Sequence, residues 1–311
     1  MRAALACLLL LACHKQPGAG DDDDGVTDAK VDAPADSSEE GWQTLISRSW
    51  NLAAPTTDPV EAYRCIRIQV PSDMWIAGFH SIAPTGTHHS VLTISDSSTQ
   101  TGEYDCTAGS LDNRMLYAAG VMTDDNYFPT GVAIHLAAGT YINLNLHLFN
   151  TNDIPLTGTS GVAVKLVKAA DVVHEADMMF SGTYNIAIPP DNAPHTASGT
   201  CTIASDIHIF TLWPHMHQIA THQSLVVTHG ATPTTMLDVP YQFTDQKNYP
   251  MQDTLVHAND KIDTTCTFVN NTGVTDPPAH TVYFGDSSTS EMCFTGIYKY
   301  PAGGSLFQCV H

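Results

Sequence analysis

Residues 141–149, "YINLNLHLF", alternate without a break: Ile142, Leu144, Leu146 and Leu148 fall on one side, Asn143, Asn145 and His147 on the other. Successive side chains of an extended chain point to opposite faces, so a period of two predicts a strand with one apolar and one polar face. The same reading applies to "CIRIQV" (65–70), "GVAVKLV" (161–167), "SLVVTH" (224–229), "TCTFV" (265–269) and "TVYFG" (281–285), each bounded by Gly, Pro, Asn, Asp or Thr. No long window favours a period of 3.6. Many short strands without helices predict an all-β chain of antiparallel sandwiches or barrels. The stretch "IAIPPDNAPHTASGT" (186–200) breaks this rhythm with prolines and small polar residues, with strand material on both sides. It marks an expected junction between two β-sandwich domains, 46–182 and 183–311.

The chain of 311 residues has room for one large or two ordinary domains. Its formal charge of -20, with only twelve Lys plus Arg, argues against nucleic acid, whose phosphates need cations, and against docking on anionic lipid. The opening "MRAALACLLLLAC" has one basic residue and a short apolar core. It is too short to span a bilayer and reads as a secretory signal. Its Leu-Leu-Ala-Cys ending resembles a bacterial lipoprotein cleavage site, with Cys13 as the lipidated residue; an ordinary signal cut later is the alternative. Membrane contact is expected only through that anchor, in a bacterial cell envelope or in a secreted form. Residues 14–45 are acidic and small and contain Pro and Gly, which predicts a disordered tether. Its DDDD run reads as a solvated charge run, not a calcium site. Beyond the signal, Cys65, Cys106, Cys201, Cys266, Cys293 and Cys309 form an even set, and disulfides are expected in an exported chain. No CxxC spacing supports a zinc ribbon or a redox dithiol.

Four stretches concentrate possible metal ligands: "GTHHSVL" with His88 and His89, "NLNLHLFN" with His147, "PHMHQ" with His215 and His217, and "STSEMCF" with Met292. His215 and His217, two apart, share one side of a regular strand, so their rings can converge. Adjacent His88 and His89 project to opposite faces and can meet one ion only where the strand bends or bulges. Each also has a plain structural reading, Met292 as core filler and His147 as a solvated polar-face residue. Three imidazoles suit zinc or copper, whereas two imidazoles with a thioether favour Cu(I), because sulfur is soft. Paired cysteines leave no thiolate for a His-His-Cys copper centre. The pattern alone does not divide five histidines and one methionine into two sites.

Taken together, these stretches resemble the copper type II ascorbate-dependent monooxygenases, the family of dopamine β-monooxygenase and peptidylglycine α-hydroxylating monooxygenase. "IHIFTLWPHMH" (207–217) keeps His208, Phe210, His215 and His217 of the family's H-x-F-x4-H-T-H signature, and "GDSSTSEMC" resembles its methionine segment. "YRC", "GTHHS", "LYAAGV", "LNLHLFN" and "IPP" follow in the family's order, so the likeness runs from about Tyr63 to Cys309. It implies an electron-storing copper on His88, His89 and His147, and an oxygen-activating copper on His215, His217 and Met292. It also implies disulfides Cys65–Cys106, Cys201–Cys309 and Cys266–Cys293, and two jelly-roll-like sandwiches flanking an open, solvent-filled cleft. His208, an odd number of residues from His215, faces away from the pair and reads as a residue supporting the ligands from behind or simply packing. His222, His229, His257 and His280 match no ligand position. Ser90, Thr93 and Ser95 stand where the family usually has Met, an aromatic and Cys; Met216 and Ala220 replace Thr and Gly. None of these removes a ligand. Trp213, Phe294 and Gly296 replace the Arg, Asn and Tyr with which the peptide-hydroxylating branch meets a carboxylate, so a more apolar small molecule is the expected substrate, with Trp213 and Phe294 in its cleft. No lyase segment is expected, which argues against a complete amidating enzyme.

The implied reaction hydroxylates a C–H bond with O2 and two one-electron reductions, the donor being ascorbate or a similar small molecule or redox protein. The soft, weakly held thioether favours Cu(I). The competing readings are an envelope lipoprotein that binds or delivers copper without turnover, a zinc hydrolase with an unidentified carboxylate base, and an adhesive β-sandwich. The last leaves the ligand set unexplained.

Overall fold

In the computed structural model the described residues are 41–311 apart from 57–59, 96–99, 108, 111–113, 121–122 and 276–277. The signal, Cys13 and residues 14–40 of the expected tether lie outside them. Strand Trp42–Leu52 begins inside the range given to the tether, because residues 42–44 already pair with Lys165, Val164 and Ala163. The described chain is all β, save a four-residue helical turn at Thr272–Thr275 and a 3-10 turn at Ala169–Asp171.

Two β-rich bodies follow in chain order. In the first, one sheet runs Gly102–Asp105, Val60–Gln69, Tyr141–Asn150, Thr87–Ser95, Arg114–Gly120. The facing sheet runs Trp42–Leu52, Leu156–Val167, Met74–Ile82, Val132–Leu136, His174–Glu175. The apolar face of Tyr141–Asn150 meets its expectation: Ile142, Leu144, Leu146 and Leu148 are fully buried in one cluster with Ile76, Phe79, Leu92 and Val162. The polar face is not solvated, as alternation alone would suggest. Asn143 and Asn145 are buried too, their amides donating to the Ser110 and Thr107 carbonyls of a loop that the Cys65–Cys106 disulfide holds over them.

The second body has a sheet ordered Tyr249–Val256, Ile207–His215, Cys293–Tyr300, Asp177–Thr183, Cys309–Val310, and another ordered Pro194–Thr202, Lys261–Val269, Ala220–His229, Thr232–Pro240. His174–Glu175 pairs with Val132 and Ala133, while Asp177–Thr183 pairs with Cys293–Tyr300. The chain therefore passes between bodies at Ala176. The Pro-rich stretch 186–200 instead folds within the second body, into strands Ala187–Ile188 and Pro194–Thr202.

Strand Cys293–Tyr300 is buried at every residue. Ile297 joins a cluster with Ile209, Leu225 and Ile262 inside the second sandwich, whereas Phe294, Tyr298 and Tyr300 join the cluster that fills the first body. A sheet covered on both faces holds its edges and adjoining loops in fixed register. Disulfides Cys201–Cys309 and Cys266–Cys293 tie the strands around it. Together with Cys65–Cys106 these are the three pairs the family resemblance implied, and they point to an oxidising, extracytoplasmic compartment.

Candidate metal centre

The first histidine group is built by a bulge. Thr87 pairs with Leu148 and His89 with His147, so the ladder between Thr87–Ser95 and Tyr141–Asn150 carries one extra residue, His88. The extra residue rotates the backbone and lets adjacent side chains reach one point. His88 Nδ1 lies 3.1 Å from His89 Nδ1, which lies 3.3 Å from His147 Nδ1. Nitrogens bonded to one small ion at about 2.0–2.1 Å in tetrahedral directions stand roughly 3.3 Å apart. The trio therefore fits a single first-row ion, and among the described residues it is the one His/Cys/Asp/Glu group compact enough to hold a metal.

The far side of His147 is also fixed. Its Nε2 donates to Glu61 Oε1 at 2.5 Å, and Tyr63 stacks on its ring at 4.4 Å between centroids. A carboxylate behind a ligating imidazole sets its tautomer and raises its basicity. Burial, the largest cause, pushes His88 and His147 down to about 4 and His89 well below the ordinary range. All three are neutral at pH 7, with lone pairs free for a cation.

The second group departs from its expected geometry. His215 ends strand Ile207–His215, but Met216 and His217 leave the sheet. Side chains take over from the ladder. Tyr241 Oη accepts from Met216 N and donates to Met216 O; the fully buried Glu291 accepts from His217 N and Ile219 N at 2.8 Å each. The two rings stand perpendicular, centroids 5.4 Å apart, instead of side by side along a strand. His217 Nδ1 donates to Ser290 O and His215 Nδ1 to Gln246 Oε1 at 3.2 Å, which leaves both Nε2 atoms for a ligand. Burial takes His215 down to about 3 and also lowers His217. Met292 follows Glu291 directly, and its own N–H donates back to that carboxylate at 3.2 Å. Glu291 thus binds the histidine turn to the methionine segment, and burial pushes its carboxyl up to about 7.

His215, His217 and Met292 line one cavity of about 260 Å³, and so does His89 of the first group. His215 and His217 both act electrostatically on His89. The cavity is thus lined by His89 of the first group and by all three residues of the second. Its wall is largely aromatic: Trp213 stacks on His215 at 4.8 Å, Phe294 packs with Phe180, Tyr184 and Phe284, and Phe307 stands at the rim. Gly296 leaves room for Trp213, whose ring carbon lies 3.1 Å from where a Cβ would stand. Asp286 is the single carboxylate of the lining, which holds no Lys or Arg.

His208 lies away from the cavity. It stacks on Tyr300 at 4.6 Å and donates to Asp253 at 2.8 Å, so it packs and does not support the ligands. His222 and His229 pair with Asp238 and Asp260, and His257 lies 3.7 Å from Asp206. Sequence reasoning missed Glu61, Glu291 and Gln246. A period of two puts Glu61 on the face of Tyr63, which was a usable signal; Glu291 follows a run of polar residues, Asp286 to Ser290, and does not stand out from it. Gln246 carries no local signal.

An all-β protein with a bulge-built imidazole trio and a second His/His/Met set around one cavity is the class that fold and site define. Residues 174–311 match the copper type II ascorbate-dependent monooxygenase C-terminal domain. A comparison with curated proteins gives no match. Among solved structures, a protein of Eubacterium rectale assigned as secreted aligns at 8% identity, 81% of this chain, 68% of its own and a TM-score of 0.22. The VP2 subviral particle of infectious bursal disease virus aligns at 11% identity, 86% of this chain, 73% of its own and a TM-score of 0.18. Scores this low establish no shared fold.

Proposed function

We propose that this protein is a copper-dependent monooxygenase that hydroxylates a C–H bond of a small, largely apolar organic molecule, using O2 and a one-electron donor such as ascorbate. The observation that carries this reading is a compact trio of neutral imidazoles, His88, His89 and His147, whose His89 lines one cavity with His215, His217 and Met292, within a chain whose residues 174–311 match this family's C-terminal domain. His88, His89 and His147 would hold one copper, and His215, His217 and Met292 the other. Bound copper would supply the one-electron steps that reduce O2 and oxidise the C–H bond.

The chain's own residues do the rest. Glu61, Ser290 and Gln246 each take one ring N–H of a histidine, so the free lone pairs keep fixed directions. Glu291 holds Met292 against the histidine turn, and Met292 adds a soft donor suited to Cu(I). Trp213, Phe180, Phe294 and Phe307 shape an apolar wall that excludes water and favours an apolar substrate. In the cell we infer a lipid-anchored envelope protein, attached through Cys13.

The test is to load the soluble fragment with copper, count ions per chain, and follow reductant-dependent oxygen uptake across a panel of small apolar molecules. Two ions per chain and uptake coupled to a hydroxylated product are expected. Met292→Leu should abolish uptake while the trio still binds its ion. Two bound ions with no substrate-dependent uptake would favour the copper-delivery reading, and unchanged turnover in Met292→Leu would favour a zinc hydrolase.

A further inference from the structure

We propose that Gln246 is a positioning residue that couples the two histidine groups, orienting His215 through its side chain while its backbone and methylenes are seated on the strand that carries the first group's partner. Three contacts carry this. Its Oε1 receives His215 Nδ1–H at 3.2 Å, and its Nε2 is held by Phe243 O at 3.3 Å, so the amide cannot turn over without losing both. Its backbone carbonyl accepts from Thr123 Oγ1 of the first body at 2.5 Å, and Thr123 is itself bonded to Gly120 N and O. Gly120 pairs directly with His89, and a Cβ at Gly120 would stand 2.9 Å from Gln246 Cβ. Glycine is thus required there for the glutamine to approach.

The same loop makes a second bridge. Phe243 lies 4.8 Å from the His88 ring and 6.2 Å from the His217 ring, between the groups. The segment from Tyr241 to Asn248 therefore touches both histidine groups, and Gln246 is its one side chain bonded to a candidate ligand. A change at Gly120 in the first body is transmitted to His215 in the second through Gln246, with no direct contact between them. The functional consequence rests on the copper reading above, but the geometry does not.

The experiment uses metal-free protein, with the ring nitrogens of His215 followed by 15N NMR. Wild type is expected to hold His215 as the Nδ1–H tautomer. Gln246→Leu should release that preference and Gln246→Glu, which keeps an acceptor oxygen, should restore it. Gly120→Ala, with Gln246 intact, should disturb the His215 nitrogens in the same direction and carries the test even where Gln246→Leu fails to fold. Copper titration then reads the consequence: affinity at the His215 site falls about 10–100-fold in Gln246→Leu. A His215 tautomer unchanged in Gln246→Leu, or indifferent to Gly120→Ala, overturns the coupling. Protein that shows the tautomer changes but takes up no copper overturns the monooxygenase reading alone.

Discussion

Glu61 and the five histidines show how much of this site is set by single side chains. Glu61→Gln keeps the shape but weakens the charge behind His147 Nε2, and should lower copper affinity of the trio about 10–100-fold. A chelator competition that gives wild-type affinity would remove Glu61 from the site. The histidines also fix a pH dependence. Unfolded, each titrates near 6.5; folded, His88 and His147 wait until about 4, His215 until about 3, and His89 and His217 are lowered as well. As pH falls below 6.5 the unfolded chain takes up protons that the folded chain refuses, so their contribution, present above 6.5, is lost on acidification. Glu291, raised to about 7, acts in the opposite sense: its contribution is present below 4.5 and lost as pH rises through 7. Five imidazoles outweigh one carboxyl. The urea midpoint of metal-free protein should therefore be lower at pH 5 than at pH 7; an equal or higher midpoint at pH 5 contradicts this.

The strands and turns decide whether those side chains can meet. His88 is usable because it is the bulge residue, and an unbulged ladder would send it to the face opposite His89. His217 is usable because Glu291 and Tyr241 draw the chain out of the sheet after His215. Replacing Glu291 with Leu would leave the N–H groups of His217, Ile219 and Met292 without their acceptor in a buried place. Each such group costs about 1–3 kcal/mol, so a clear fall in Tm is expected. Glu291→Gln, which keeps one carbonyl oxygen, should fall less. Equal Tm values for Glu291→Leu and wild type would show that the turn does not depend on this carboxyl. The alternation of residues 141–149 made the strand and its apolar face legible, and the His-His pair announced that a bulge was needed. The turn after His215 was not legible, because its partners lie 25 and 74 residues downstream.

Across the whole molecule, the doubly covered sheet joins the bodies and the disulfides close long loops around it. Cys201–Cys309 spans 108 residues and Cys65–Cys106 spans 41. On loop entropy alone these are worth roughly 5 and 4 kcal/mol. Cys201→Ala with Cys309→Ala should accordingly lower the denaturation midpoint more than Cys65→Ala with Cys106→Ala. The second pair should show a different loss, exposure of Asn143 and Asn145 beneath the released loop, read as faster amide exchange along Tyr141–Asn150. The reverse order of midpoints would mean that packing of the doubly covered sheet outweighs loop closure. The formal charge of the full chain, -20, favours approach of cations, copper among them, at low ionic strength.

The all-β class, the strands and an even set of cysteines suited to disulfides could be read from residues in order, because periodicity and residue chemistry are local properties of a chain; the division of five histidines and Met292 into two candidate ligand sets came from the family resemblance. Only the folded chain decided that His89 shares a cavity with His215, His217 and Met292, that Asn143 and Asn145 are covered, that His208 packs elsewhere, and that Glu61, Glu291 and Gln246 hold the candidate ligands. Those contacts join residues separated by 31 to 123 positions, and nothing in the spacing of either partner encodes the meeting. Sheet packing encodes it.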